Sequence, residues 1–136
     1  MLDTGITGKI TKTVTEELTA KRMGSGVLDV FATPAMIALI EETAWKSVSD
    51  KLDDGMTTVG TKLDIAHTAA TPLGMTVTCE TKLIEIDRRR LVFEAVVSDE
   101  CGEVGRGVHE RFIVDADKFM SKTNAKRKDG GSDENA

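Results

Sequence analysis

The chain is poor in the features that would commit it to a special environment. Its 136 residues include two cysteines, two prolines, one tryptophan, four phenylalanines and no tyrosine. Cys79 and Cys101 have neither a CxxC spacing nor a second pair nearby, so they cannot build a zinc site and read as free thiols. No apolar run approaches the roughly 20 residues of a membrane span, and the first residues lack a signal-peptide core. No membrane association is expected, and the cytoplasm is the expected location. A basic excess is missing too, with 18 Lys and Arg against 23 Asp and Glu and a net charge of -5. Arg88-Arg89-Arg90 and Lys126-Arg127-Lys128 are the only basic clusters, and acids at 129, 133 and 134 offset the second. Nucleic acid is therefore not an expected partner.

The composition that remains is ordinary for a globular domain, with 40% hydrophobic and 30% charged residues. A chain of this length holds one domain and buries about two-thirds of its unfolded surface, enough for a core without a disulfide or metal. Residues 1–123 read as that domain. The polar stretch 124–136 has nothing to bury and reads as a disordered tail, and residues 1–7 read as frayed.

The pattern is strand, helix, strands. Residues 9–15 are β-branched and short, while 22–32 mix glycines with apolar residues like a loop or lid. A helix is expected over 33–52, with Thr33 as N-cap, Pro34 at the first helical position and Gly55 beyond its end. The apolar period then becomes two, with strands at 57–67, 75–86, 91–100 and 103–114 and a short helical piece at 115–121. This is an α+β pattern, one long helix against a four-strand antiparallel meander and a first strand.

Two polar residues interrupt the apolar faces. At 100° per residue from Ile37, the apolar positions Ile40, Ala44, Trp45, Val48 and Leu52 span about 300° to 80°, and Glu41 falls among them at about 40°. Glu42 falls on the opposite, solvated side. A buried carboxylate needs a specific partner or is kept for chemistry; the competing reading is that Glu41 snorkels out. On the strand 57–67 the odd positions Val59, Thr61, Leu63, Ile65 and His67 form the apolar face. His67 is then either a satisfied core histidine or, with Glu41 in the same interior, half of an acid–base or nucleophilic pair. Thr33 lies eight residues before Glu41 on the same helical arc, so its hydroxyl can cap the helix and also reach that interior. Gly60 marks either a β-bulge or a close approach by a ligand or another backbone. His109 and Arg111 share a face of the last long strand, and the sequence leaves open which face is buried. No metal-ligand spacing, phosphate loop or serine-hydrolase signature is present.

The segments VLDVFATP (27–34), TTVGTKLDIAHTAATPLGMTVTCETKL (57–83) and DRRRLVF (87–93), together with Glu41, resemble the fluoroacetyl-CoA thioesterase-like group of hot-dog-fold proteins. The resemblance spans residues 8–115. It implies a hot-dog fold, with an antiparallel sheet wrapped around one long central helix, and a homodimer with active sites at the subunit interface. It also implies hydrolysis of an acyl-CoA thioester without metal or organic cofactor. By resemblance the catalytic threonine, glutamate and histidine fall on Thr33, Glu41 and His67. Gly60 and Arg111 fall at substrate-binding positions. The lid-like segment carries no aromatic before Phe31, unlike the fluoroacetate-specialised member, so the expected substrate is a short or otherwise small acyl-CoA. The alternatives are an acyl-CoA or small-ligand binding protein without turnover, and an acyl-CoA hydratase or dehydratase.

Overall fold

The computed structural model describes residues 1–127. Five strands, β1 (Thr7–Thr13), β2 (Met56–His67), β3 (Thr76–Asp87), β4 (Arg90–Asp99) and β5 (Gly102–Asp115), form one antiparallel sheet in the order β1-β3-β4-β5-β2. One long helix, α2 (Thr33–Val48), lies across it, preceded by the single turn α1 (Ala20–Met23). A third helix, α3 (Ala116–Asn124), follows β5. The α+β class and the helix-on-sheet architecture match the sequence reading.

The order of strands differs from a simple meander. β3, β4 and β5 follow one another through tight turns, but β2 pairs with β5 and forms the far edge. The connection 68–75 therefore crosses the end of the sheet. It is fastened there by Thr68 N–H donating to the Val104 carbonyl (2.7 Å) and Phe31 N–H donating to the Thr71 carbonyl (2.8 Å). The buried Thr71 hydroxyl also donates to Asp99 at 2.8 Å. This hydroxyl–carboxylate bond ties the β4–β5 turn to the segment that follows His67.

α2 starts at Thr33, with Ala32 as N-cap and Pro34 in the first turn. The expected capping role of Thr33 is thus corrected by one position: a residue inside the helix does not cap it, and its hydroxyl is left for another partner. The helix passes into a 3-10 turn at Ser49–Lys51, and Gly55 takes the left-handed conformation (φ 81°) before β2.

The buried face of α2 is also rotated by roughly 100° from the expected arc. Ala35, Met36, Leu39, Ile40, Thr43, Ala44 and Val48 are buried, while Trp45 is 39% exposed. The reason is lateral seating. α2 packs most against β3 and β1 and less against β2 and β4, so the side toward β2 stays open. Met36 and Ile40 join Val77, Cys79, Ala95 and Val97 in one core cluster; Ala44 and Val48 join Leu83, Leu91 and Phe93 in the other. Each fully buried large apolar side chain contributes about 1.5–3 kcal/mol relative to exposure. Glu42, expected to be merely solvated, accepts from Lys46 at 2.6 Å and from Lys12 of β1 at 3.0 Å, tying helix to edge strand.

The first residues and the start of the expected tail depart from expectation. Residues 5 and 6 are docked: Gly5 N–H donates to the Leu83 carbonyl and Leu83 N–H to the Ile6 carbonyl, each at 2.8 Å. At the other end, α3 extends through Asn124, and residues 125–127 turn beyond it. The rest of the expected tail lies outside the described residues.

Gly105 gives a direct measure of how tightly helix and sheet meet. A Cβ there would lie 2.7 Å from Met36 Sδ and 2.9 Å from the Ala66 carbonyl oxygen. Gly105→Ala is expected to lower stability by about 1–3 kcal/mol through overpacking, read from denaturant unfolding. A parent-like midpoint would show that α2 and β2 separate more readily than this packing allows.

Candidate active site

The open side of α2 faces β2 across a groove, and the sequence-selected residues gather there in two groups. At the helix start, Thr33 Oγ1 and His67 Nδ1 are 2.8 Å apart. His67 ends β2 with its ring edge-on to Phe31 at 6.3 Å between centroids. Its other nitrogen, Nε2, is buried without a hydrogen-bond partner among the described residues. Burial pushes the His67 pKa down, opposed by the neighbouring Ala69 backbone, so the ring is neutral near pH 7. A cavity of about 260 Å³ opens beside this pair, lined by Ala20, Val30, Phe31, Ala69 and Ala70 among others. Val27 and Leu28, exposed at 82% and 64%, lie in the loop leading to Val30 and Phe31.

The second group is built on Glu41, Gly60 and Arg111. Glu41 is not sealed in the core: its side chain is 39% exposed, and Oε2 lies 3.8 Å from Arg111 Nη1. The rotation of α2 explains this. The position expected inside the apolar arc sits at the arc's margin, on the groove wall. A Cβ on residue 60 would fall 2.6 Å from Glu41 Oε2, so the close approach expected at Gly60 is made by a carboxylate of the same chain.

A bulge accompanies it. Gly60 pairs with Arg111 and Lys62 with Glu110, which leaves Thr61 as the extra residue. The strict odd-position face of β2 is therefore corrected at this point. Leu63, Ile65 and His67 do share the helix side, but Val59 and Thr61 do not. Before the bulge, Thr58 and Gly60 turn inward instead.

Arg111 is 6% exposed and its donors are well occupied. Nε donates to Thr58 Oγ1 at 2.8 Å and Nη2 to the Thr58 carbonyl at 3.0 Å. Nη1 donates to His109 Nε2 at 3.1 Å, and His109 Nδ1–H donates to the Lys62 carbonyl at 2.9 Å. Burial lowers the pKa of His109, with the Arg111 charge adding to it and the Lys62 carbonyl, Glu41 and Glu110 opposing. His109 and Thr58 are the site neighbours that sequence reasoning did not select. The parity that His109 shares with Arg111 was the available signal, once one of them is known to face inward.

Thr33 and Glu41 are separated by about 12 Å of helix rise, with Ile37 one turn from each. Because side chains on a helix lean toward its N-terminus, Glu41 leans toward the Thr33–His67 end. Among the described residues, no three His, Cys, Asp or Glu side chains gather as a metal-ligand set. No helix among them is long and apolar enough to cross a membrane.

A long helix held in one five-stranded antiparallel sheet is the hot-dog architecture of the thioesterase superfamily. Residues 14–117 match the family described as fluoroacetyl-CoA-specific thioesterase, and the chain belongs to that family. The fluoroacetyl-CoA thioesterase of Streptantibioticus cattleyicolor is 37% identical over 98 residues, which cover 72% of this chain and 70% of that protein. A solved structure of the fluoroacetyl-CoA thioesterase FlK superposes with a TM-score of 0.88 at 30% identity, covering 93% of this chain and 98% of that one. A thioesterase-superfamily member from Thermus thermophilus, at 22% identity, shares the fold with a TM-score of 0.87 over 94% of this chain and 95% of that one.

The two depressed imidazoles make stability pH-dependent in a definite direction. A histidine whose folded pKa is lowered binds its proton in the unfolded chain first. Stability should therefore fall as pH drops below about 6.5 and level off beneath the folded-state values. The depressed carboxylates Glu42, Asp99, Glu103 and Glu110 withdraw their contributions only lower, below about 4.5. Urea midpoints measured in small pH steps should resolve the two windows. A flat midpoint across the upper one would contradict neutral, buried histidines.

Proposed function

We propose that the protein hydrolyses acyl-CoA thioesters carrying a short or small acyl group, releasing the free acid and CoA. One observation carries the reading: a half-exposed carboxylate held beside a buried guanidinium, on the same open helix stripe as a threonine–histidine pair. Family membership supplies the reaction class, and the geometry supports the roles. The thioester carbonyl would lie over Ile37, between the two groups. Glu41 supplies the attack, either directly on the carbonyl carbon or by taking a proton from water. His67 relays a proton to the departing CoA sulfur from Nε2 as it takes one up at Nδ1 through the Thr33 hydroxyl. That proton is the one Glu41 takes from water, or a solvent proton when Glu41 attacks directly. In the direct route water then cleaves the acyl-Glu41 anhydride to the free acid and restores the carboxylate. The close-set backbone at Gly60 seats the carboxylate, and the Arg111 charge lies beside it without a hydrogen bond. The free N–H groups of the first turn of α2 are donors for the tetrahedral oxyanion. In this reading the residues need neither metal nor organic cofactor, since attack, proton transfer and oxyanion stabilisation are all assigned to the chain. The free thiols Cys79 and Cys101 are consistent with a reducing, cytoplasmic setting.

Membership of a fluoroacetyl-CoA-specific thioesterase family supports a small acyl group. The cavity of about 260 Å³ beside Thr33 and His67 is a place for it, lined by Ala20, Val30, Phe31, Ala69 and Ala70 together with the polar Ser25 and Thr68. Free-thiol release from a panel of acyl-CoAs of increasing length should peak at the short end. Folded Glu41→Gln and His67→Ala should each lose at least about 100-fold, roughly 2.7 kcal/mol of transition-state stabilisation. No thiol release from any substrate, with acyl-CoA still bound, would replace the hydrolase with a binding protein. Conversion of an enoyl-CoA without thiol release would point to a hydratase. In a single turnover, an acylated Glu41 caught by mass spectrometry marks direct attack. Solvent oxygen found only in the product marks attack through water.

A homodimer completes this reading. β2 is an edge strand with an open ladder, and beside it Trp45 and Leu63 expose apolar surface at 39% and 36%. Pairing two β2 edges would satisfy that ladder and cover the Glu41 side of α2. Sedimentation equilibrium should give twice the 14.7 kDa chain mass, and Leu63→Lys should shift the protein toward monomer. A monomeric parent at micromolar concentration would refute the dimer.

A further inference from the structure

His109 is the most deeply buried ionisable side chain near the site, at 0% exposure, and nothing in the proposed chemistry uses it. It is held from three sides. Phe93 of β4 stacks on its ring at 6.3 Å, the Lys62 carbonyl of β2 faces Nδ1, and Arg111 of β5 faces Nε2. The hydrogen-bond inventory allows one protonation state. A carbonyl only accepts and a guanidinium only donates, so Nδ1 carries the proton and Nε2 is bare. Lys62 is the residue that follows the bulge, so the bulged strand supplies the acceptor that selects the tautomer.

The bare Nε2 and Glu41 both face Arg111 Nη1, which has two N–H groups, so what they contest is the position of that nitrogen. Arg111 Nη1 is 3.1 Å from His109 Nε2 and 3.8 Å from Glu41 Oε2. The first is a hydrogen bond, while the second is a charge neighbour beyond hydrogen-bond distance. An arginine next to a carboxylate ordinarily closes on it, often through two parallel bonds. Such a clamp would occupy the lone pairs with which Glu41 must attack or take a proton.

We propose that His109 is a positioning residue that, as the neutral Nδ1–H tautomer, draws Arg111 toward itself and keeps it from clamping the Glu41 carboxylate. The role rests on the Glu41-centred hydrolysis proposed above. It differs from a packing role because it depends on one acceptor atom at one place. His109→Asn can still donate to the Lys62 carbonyl but is too short to reach Arg111. His109→Gln reaches farther and can offer Arg111 its side-chain oxygen.

The test combines kinetics with two readouts independent of turnover. With short acyl-CoA substrates, His109→Asn should lower kcat at least about 30-fold while KM changes less than about threefold, and His109→Gln should recover most of the loss. Nitrogen-15 imidazole spectra of the parent, which has only two histidines, should show His109 as the Nδ1–H tautomer near neutral pH. A crystal structure of His109→Asn should show Arg111 Nη1 within about 3.2 Å of a Glu41 oxygen. An Nε2–H or doubly protonated His109 overturns the proposal, as does a His109→Asn enzyme with parent-like kcat or with a loss that His109→Gln does not relieve. If the parent hydrolyses no thioester, the hydrolysis reading fails by itself. The tautomer and the Arg111–Glu41 separation then decide the role of His109: closure supports it and an unchanged separation overturns it.

Discussion

A guanidinium cannot lose its charge to escape burial, and the groove between α2 and β2 is arranged around that fact at Arg111. Enclosing a positive charge costs several kcal/mol unless its donors are met. Here Thr58 meets two of them with its hydroxyl and its carbonyl, and His109 meets a third. Those acceptors face Arg111 because β2 carries a bulge at Thr61, which turns Thr58 and Gly60 toward the helix. Gly60, lacking a side chain, leaves room for Glu41 to stand beside the charge. Taking Thr61 into a regular ladder with no residue lost would turn Thr58 and Gly60 away, leaving Arg111 without Thr58 and Glu41 without its seat.

The fold was readable because its periods are clean. One long 3.6-period segment followed by four period-two segments with turn residues between them leaves few architectures. What could not be read was strand order, since nothing local says that β2 pairs with β5 rather than β3. The helix face was misplaced for a related reason. Placing the arc on Ile37, Ile40, Ala44, Trp45, Val48 and Leu52 left out Met36 and Leu39, which with Ala35 and Thr43 carry α2 onto β3 and β1. The candidate site residues stood out through a conflict of patterns, a glutamate near an apolar arc and a histidine on an apolar strand. The correct reading of Glu41 differs from the expected one: it stands beside the core. His109 stayed hidden because strand parity alone cannot say which face is covered, and a bulge within β2 changes the parity that would have been used to decide.

The two halves of the site answer to different parts of the chain. Thr33 and His67 depend on the start of α2 and on the connection 68–75, which Asp99 fastens through the Thr71 hydroxyl. Glu41 and Arg111 depend on the middle of β2 and β5. Variation in the loop before Phe31 or in the 68–75 connection can therefore reshape the cavity beside Thr33 and His67 while leaving the carboxylate's surroundings untouched.

The bulge also gives one position in the chain an unusual hereditary weight. Elsewhere in β2 a one-residue insertion or deletion would throw a whole face to the wrong side and cost the fold. At Thr61 the two flanking segments already differ in phase by one residue. Losing that residue would bring Thr58 and Gly60 into one period-two face with Leu63, Ile65 and His67, while Gly60 stays opposite Arg111 and Lys62 opposite Glu110. A single codon deletion there is a shortening of β2 that a descendant could absorb with both halves of the site still facing α2.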